Sequence, residues 1–148
     1  MNDLPNRKWP RLKNYDYSTE GYYFITICTQ DRKPILSEIV RTSDGSFDVS
    51  LTDYGRTAES FLKAINGIDK YVIMPNHIHM IIHKTNGKNI ANDIRSFKGL
   101  TTKKIGRPIW QQYYYDHVIR DKDDYLIKWN YIIENPLKWG GDEYSKIQ

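Results

Sequence analysis

Apolar residues divide the chain into segments with strand-like or helix-like patterns. Four segments rich in β-branched and aromatic residues predict strands at 22–29, 70–74, 77–83 and 110–119. Three segments with apolar side chains at helical spacing predict helices, one starting at Thr52, one at 89–105, and one from Asp121 to about Asn135. Pro136 is expected to end the last helix, because proline has no N–H for the helical hydrogen bond.

The order of these elements predicts an α+β fold. A polar segment, 42–50, contains Asp44-Gly45 and indicates a turn within a hairpin. The remaining strands and helices fit a ferredoxin-like split β-α-β sandwich, with an antiparallel sheet, helices on one face and a closing C-terminal helix. The chain contains no internal repeat, so residues 1–148 are expected to form a single domain, with 1–20 as a basic N-terminal arm.

Composition limits the class of protein. At 39% hydrophobic and 27% charged residues, the 148-residue chain resembles neither a disordered tail nor a membrane protein. No apolar run approaches the roughly 20 residues that a membrane-spanning helix needs. Cys28 is the single cysteine, which excludes an internal disulfide and a thiolate zinc cluster. A reducing, cytoplasmic location is therefore expected.

Charge is distributed unevenly along the chain. The net charge is +4, but segment 84–107 has seven cations against the single anion Asp93, which makes it +6. The first thirteen residues are also basic, whereas 121–143 has six acids against three lysines. One explanation for such a run of like charges is a helix face that is exposed to solvent. Two basic segments in a chain with 12 tyrosines also fit a nucleic acid, because cationic grooves with aromatic platforms suit single strands.

The motif Pro75-Asn76-His77-Ile78-His79 offers candidate metal ligands. Side chains at i and i+2 of a strand point to the same face, so His77 and His79 project together while Ile78 points into the core. Two such imidazoles can bind one divalent ion if a third ligand comes from elsewhere. A bare His-x-His pattern is common, and a structural histidine pair is the alternative. His83 lies farther along the same face and is expected at an edge.

The closing helix supplies a candidate nucleophile. Tyr131 and Asn135 are four residues apart, so they share a helix face. Tyrosine is a poor nucleophile at neutral pH because its pKa is near 10, but a metal that polarises a phosphate offsets much of that deficit. Asn135 offers a carbonyl oxygen as a third metal ligand. Spacing alone does not select Tyr131 over Tyr125 or Tyr113.

Four blocks resemble the REP-associated branch of the single-tyrosine HUH transposases. The segment 71–79 resembles the HUH motif (histidine, bulky apolar residue, histidine). The other three blocks are the opening 11–18 that leads into 23–29, the Trp-Gln-x-x-Tyr-Tyr-x-His-x-Ile-Arg block at 110–120, and the Tyr-Ile-x-x-Asn-Pro helix end at 131–136. Their order matches over nearly the whole chain. The chain departs from insertion-sequence relatives at Asn135, where they usually have glutamine, and at Gln112, where many have arginine.

The resemblance implies a metal-dependent transposase and endonuclease acting on single-stranded DNA. It implies that His77 and His79, with Asn135 as third ligand, bind Mg²⁺ or Mn²⁺ against the scissile phosphate. Tyr131 would attack the strand, leaving a 5′-phosphotyrosine and a free 3′-OH, with no nucleotide cofactor. The expected partner is single-stranded or hairpin DNA of the REP type, which implies association with the nucleoid. The protein is expected to be a monomer or a homodimer and to have no membrane partner. A hairpin-binding module without cleavage and a metal hydrolase that activates water are the alternatives.

Charge and position give a set of candidate DNA-binding residues. Tyr113 and His117 share one face of strand 110–119, where His117 could donate to a phosphate. The basic residues come from the arm, from segment 84–107 and from the end of strand 110–119. The full candidate set is Arg7, Lys8, Arg11, Lys13, Arg95, Lys98, Lys103, Lys104, Arg107, Tyr113, His117 and Arg120.

Overall fold

Alternating apolar positions in the strands build a sheet with two buried faces. The computed structural model describes residues 21–84 and 90–147, with side chains up to residue 140 in the last helix. Its strands are β1 (Gly21–Thr29), β2 (Ser37–Arg41), β3 (Phe47–Leu51), β4 (Ile68–Ile73), β5 (His77–Lys84) and β6 (Trp110–Ile119). Its helices are α1 (Asp53–Leu62), α2 (Ile90–Ile105) and α3 (Lys122–Ile147), and a short 3-10 turn spans Gln30–Arg32.

The four long strands form one antiparallel sheet in the order β4-β5-β1-β6. With α1 and α2 as the connections, this is the ferredoxin-like arrangement, and the predicted fold class is confirmed. The predicted hairpin is also present: β2 and β3 form a separate two-stranded sheet inserted between β1 and α1. Gly45 occupies its turn with φ 88°, a conformation that glycine adopts at little cost.

Each face of the four-stranded sheet has its own core. On one face, Ile25, Ile78 and Met80 are buried against residues of α1 and α2. On the other face, Phe24 and Ile81 are buried with Ile132 of α3. His77 and His79 alternate with Ile78 and Met80 along β5, and they therefore lie on the α3 side of the sheet. No helix among the described residues is both long and apolar enough to cross a membrane.

The prediction that the last helix ends at about Asn135 was wrong. Helix α3 continues through Pro136 to Ile147. Packing beyond the proline offsets its missing hydrogen bond: Trp139 packs into the core on the α3 face, and Gly140 is buried against the β2–β3 hairpin. A Cβ atom at residue 140 would lie only 2.3 Å from Cδ1 of Phe47, so the glycine permits this close approach. Tertiary contacts thus override the local preference.

Candidate functional site

The α3 side of the sheet contains a pocket of about 340 Å³ between β1, β5, β6, the 3-10 turn and α3. Register explains why its residues meet: Thr26 of β1 lies opposite His79 of β5 on one side and Tyr115 of β6 on the other. Helix α3 crosses above these strands. The lining residues are Thr26, Cys28, Arg32, His77, His79, Tyr115, Tyr131 and Asn135.

The structure brings His77 and His79 together as the motif predicts. Their ring centroids are 4.6 Å apart, and both rings are held by neighbours. Asn76 Oδ1 accepts a hydrogen bond from Nδ1 of His77 at 2.7 Å, and Thr26 Oγ1 lies 2.8 Å from Nδ1 of His79. These contacts fix the orientation of two imidazole rings that both line the pocket.

The two histidines are neutral at physiological pH. Burial lowers the pKa of His77 to about 4, although a hydrogen bond with Asn135 opposes this shift. Burial, followed by repulsion from His77 and Arg32, holds the pKa of His79 well below its ordinary value. Neutral imidazole is the form that binds a metal ion, so this pair fits the expected divalent cation.

A metal at this pair needs further oxygen ligands. Among residues 21–84 and 90–140, no cluster of three or more His, Cys, Asp or Glu side chains could hold a metal ion. The amide oxygen of Asn135, whose side chain reaches His77, can provide one ligand. Oxygens of a bound phosphate can provide the others. The donor set therefore fits a cation that binds together with its substrate.

Helix α3 places the ring of Tyr131 beside that of His79. The Tyr131 ring centroid lies 5.0 Å from that of His79 and 6.1 Å from that of Phe24. Asn135, one turn later, donates from Nδ2 to the Tyr131 carbonyl at 2.6 Å. The Tyr131 side chain is not enclosed, because the residue is 43% exposed. The side chain is therefore accessible to solvent at a pocket that both histidines also line.

The other two candidate tyrosines lie elsewhere. The Tyr125 hydroxyl donates to Asp69 at 2.5 Å, and burial together with that carboxylate raises its pKa. Tyr113 is 62% exposed on β6 and does not line the pocket. Of these three tyrosines, Tyr131 is the one that lines the pocket with the histidines, and Tyr115 lines the same pocket.

Four residues of the pocket were not among the predicted site residues: Thr26, Cys28, Arg32 and Tyr115. Thr26 and Tyr115 have a signal in the sequence, because strand alternation together with register would place them beside His79. Arg32 has no such signal, since it lies in an irregular turn after β1. Its guanidinium contacts Cys28, with Nη1 3.5 Å from Sγ.

His117 lies on the same face but is engaged in a different contact. Its Nε2 atom is 2.8 Å from Oδ2 of Asp124, a carboxylate that is almost fully buried on α3. Lys128, also buried, lies one turn further along, with Nζ 3.6 Å from the other Asp124 oxygen. This cluster joins β6 to α3. The remaining histidine, His83, stacks on Tyr22 at a centroid distance of 4.2 Å, away from the pocket.

Part of the predicted basic surface forms a groove between α2 and β6. Arg95, Lys98 and Lys103 line it with Trp110 and Gln112. Lys98 also donates from Nζ to the Gln112 carbonyl at 3.1 Å, which ties the helix to the strand.

The other predicted cations are divided among several places. Lys104 and Arg120 are exposed, and the Arg107 guanidinium lies 5.3 Å from the Tyr54 ring centroid. Lys84, counted in the +6 segment, is buried in an ion pair with Asp93, so neither of these charges faces solvent freely. The predicted residues Arg7, Lys8, Arg11 and Lys13 lie outside the described residues.

A ferredoxin-like sheet with a His-x-His pair facing a helical tyrosine defines the class of single-tyrosine HUH proteins. Comparison with known proteins identifies which family within this class the chain resembles. No protein-family model matches the chain. An uncharacterized protein of Haemophilus influenzae is 30% identical over 95% of the chain and 93% of its own length. A second H. influenzae protein, named a putative REP-associated tyrosine transposase, is 29% identical over 91% of the chain and 82% of its own length.

A solved structure agrees with these relatives. It is a REP-associated tyrosine transposase bound to a REP hairpin, with a TM-score of 0.64 and 25% identity over 89% of this chain and 75% of that one. The chain belongs to the REP-associated tyrosine transposase family.

Proposed function

We propose that this protein cuts and rejoins single-stranded DNA at hairpin-forming sequences through a covalent bond to Tyr131. One observation carries the proposal: the Tyr131 ring lies 5.0 Å from the ring of His79, within one pocket that also contains His77 and Asn135. The structural relative bound to a REP hairpin supports hairpin DNA as the substrate class.

In the proposed reaction, Tyr131 Oη attacks the phosphorus of the scissile phosphodiester. An O–P bond forms to the tyrosine and the P–O3′ bond breaks, so the 3′ oxygen leaves, takes up a proton and becomes a free hydroxyl. The phenolic proton passes to solvent through the open side of the pocket. Attack by a 3′-OH on the phosphotyrosine reverses these bond changes and rejoins a strand.

His77, His79 and Asn135 would hold Mg²⁺ or Mn²⁺ in this reaction. When bound, the cation supplies positive charge beside the phosphate and orients its oxygens. The protein's own residues do the rest. Thr26 and Asn76 hold the imidazoles in place, and burial keeps both imidazoles unprotonated. Asn135 fixes the first turn after Tyr131 through the Tyr131 carbonyl.

A covalent-adduct assay tests the chemistry. A labelled hairpin with single-stranded flanks is incubated with the protein, with and without Mn²⁺, and the protein–DNA adduct is resolved under denaturing conditions. We expect a Mn²⁺-dependent adduct that is lost in Tyr131→Phe and kept in Tyr115→Phe, a matched control because Tyr115 lines the same pocket.

Every other outcome overturns part of the proposal. Binding without an adduct in the wild-type protein would identify a hairpin-binding module. Cleavage that survives in Tyr131→Phe would indicate attack by water. Loss of the adduct in Tyr115→Phe alone would make Tyr115 the nucleophile.

We also propose that the groove between α2 and β6 binds phosphates of the DNA. Its cations Arg95 and Lys103 are exposed, whereas the opposite charge on α2, Asp93, is paired with Lys84. Arg95→Ala and Lys103→Ala should each weaken hairpin binding and reduce the slope of log affinity against log salt by about 1. Lys63→Ala, an exposed lysine at the end of α1, is the control and should change neither.

A further inference from the structure

Arg32 is a positively charged residue of the pocket, and no step of the reaction proposed for Tyr131 and the histidines involves it. It lines the pocket together with the two histidines and Tyr131. Its charge lies close enough to His77 and His79 to contribute to the lowering of both their pKa values. A permanently charged guanidinium at this point has a strong influence on what the pocket binds.

The turn that presents Arg32 has an unusual backbone. Asp31 and Arg32 are consecutive non-glycine residues in the left-handed region, with φ 58° and 56°. Such conformations cost free energy and persist where surrounding contacts enforce them, often at functional sites. Here Asn76 provides one such contact, because its Nδ2 donates to the Arg32 carbonyl at 3.4 Å while its Oδ1 accepts from His77. One side chain thus links the strained turn to the histidine pair.

The guanidinium has no anionic partner within the described part of the chain. Its hydrogen bond is to the Cys28 thiol, with Nη1 3.5 Å from Sγ, and a thiol is a weak acceptor. Burial raises the pKa of Cys28, so the thiol is neutral at physiological pH. No carboxylate among the described residues forms an ion pair with Arg32. Counting the residues that the structure describes, the pocket therefore carries a positive charge without a carboxylate partner, beside two neutral imidazoles.

This charge is unfavourable for a site that binds a cation alone. A guanidinium beside a divalent ion repels it unless an anion lies between them. A phosphodiester satisfies both, since one non-bridging oxygen can face the metal side and the other can face the planar fork of an arginine. The arrangement of Arg32, the histidines and Tyr131 around one pocket is thus suited to a phosphate rather than to a metal ion by itself.

We propose that Arg32 is a catalytic residue that binds a non-bridging oxygen of the reacting phosphate. The inference rests on the proposed function, since it assigns a contact within that reaction. As the Tyr131 O–P bond forms and the P–O3′ bond breaks, negative charge on the non-bridging oxygens is stabilised by the guanidinium.

The first test measures binding and needs no cleavage. In the Tyr131→Phe background, which lacks the nucleophile, hairpin DNA with single-stranded flanks is titrated in the presence of Mn²⁺. Arg32→Gly should lower the affinity by about tenfold, as expected for loss of a charged hydrogen bond to phosphate. The control is Lys33→Gly, which removes the neighbouring cation, one that does not line the pocket, and should leave the affinity nearly unchanged. Equal losses in the two variants would overturn the proposal.

Arg32→Gly also separates a structural role from a chemical one. Glycine adopts positive φ readily, so this variant should be at least as stable as the wild type in thermal unfolding. Without DNA, it should bind Mn²⁺ several-fold more tightly, because a like charge has been removed. Weaker Mn²⁺ binding by a folded Arg32→Gly protein would contradict the proposal.

The second test measures the chemical step. The single-turnover rate of adduct formation should fall by about a hundredfold in Arg32→Gly, with Arg32→Lys intermediate, since lysine restores the charge but not the fork. An unchanged rate in Arg32→Gly would refute a role in the reaction. If the wild-type protein forms no adduct, the proposed function fails, while the binding test still decides whether Arg32 contacts phosphate.

Discussion

Acid should destabilise the metal-free protein through His77. Burial lowers the pKa of this residue to about 4, whereas in the unfolded chain the pKa returns to the ordinary histidine value of 6.5. As the pH falls through 6.5, the unfolded state takes up a proton that the folded state excludes, so folding stability decreases. The contribution is fully present above 6.5 and is lost progressively toward the folded value. Between pH 7 and pH 5 the loss from His77 amounts to about 2 kcal/mol.

Urea unfolding in the presence of EDTA measures this loss. The free energy of unfolding is compared at pH 7 and pH 5 for the wild type and for His77→Gln, which keeps a polar side chain but cannot titrate in this range. The variant should lose about 2 kcal/mol less than the wild type between the two pH values. His79, also displaced downward, adds in the same direction and remains in both proteins. An identical pH dependence in the two proteins would refute the reasoning from burial.

Two further predictions concern the packing of α3 and α2. Ile132→Ala should reduce the free energy of unfolding by about 2–4 kcal/mol, because Ile132 is buried in the core under α3. The control is Ile133→Ala, which truncates a 57% exposed neighbour and should change that free energy by less than about 0.5 kcal/mol. Urea unfolding measures both variants. Gly140→Ala should lower the melting temperature, because its Cβ atom would clash with Phe47 at a cost of about 1–3 kcal/mol. Gly99→Ala should raise the melting temperature, because a Cβ atom at residue 99 meets no atom within 4 Å and alanine gains up to about 1 kcal/mol in helix propensity. The same sign of change in both glycine variants would contradict the packing argument.

The order of strands and helices was predictable because each element has a clear local pattern. Strand β5 illustrates this: alternation assigns Ile78 and Met80 to one core and the two histidines to the opposite face, and the structure confirms that assignment. The end of α3 was not predictable from Pro136. Its continuation depends on Trp139 and Gly140 meeting the β2–β3 hairpin, a contact between distant parts of the chain that no local pattern contains.

The candidate site also contains residues that the sequence predicts and residues whose position depends on distant contacts. The histidine pair and Tyr131 follow from motif and resemblance, and the fold brings them into one pocket. Arg32 does not follow from either, because its position depends on two left-handed residues and on a contact from Asn76, about forty residues later in the chain. Lys84 adds less to the basic surface than its sequence position suggests, because it is buried in an ion pair with Asp93.

Helix α3 couples the stability of the fold to the position of the proposed nucleophile. Tyr131 stays close to His79 while two anchors hold the helix. One is Ile132, buried in the core next to Tyr131, and the other is the contact of Trp139 and Gly140 beyond the proline. Pro136 lies between these two anchors and leaves the Ile132 carbonyl without its usual helical donor. The weakest part of the helix therefore lies next to Tyr131. Loss of either anchor should displace the tyrosine before the four-stranded sheet unfolds, since the sheet has a second core against α1 and α2 that does not involve α3.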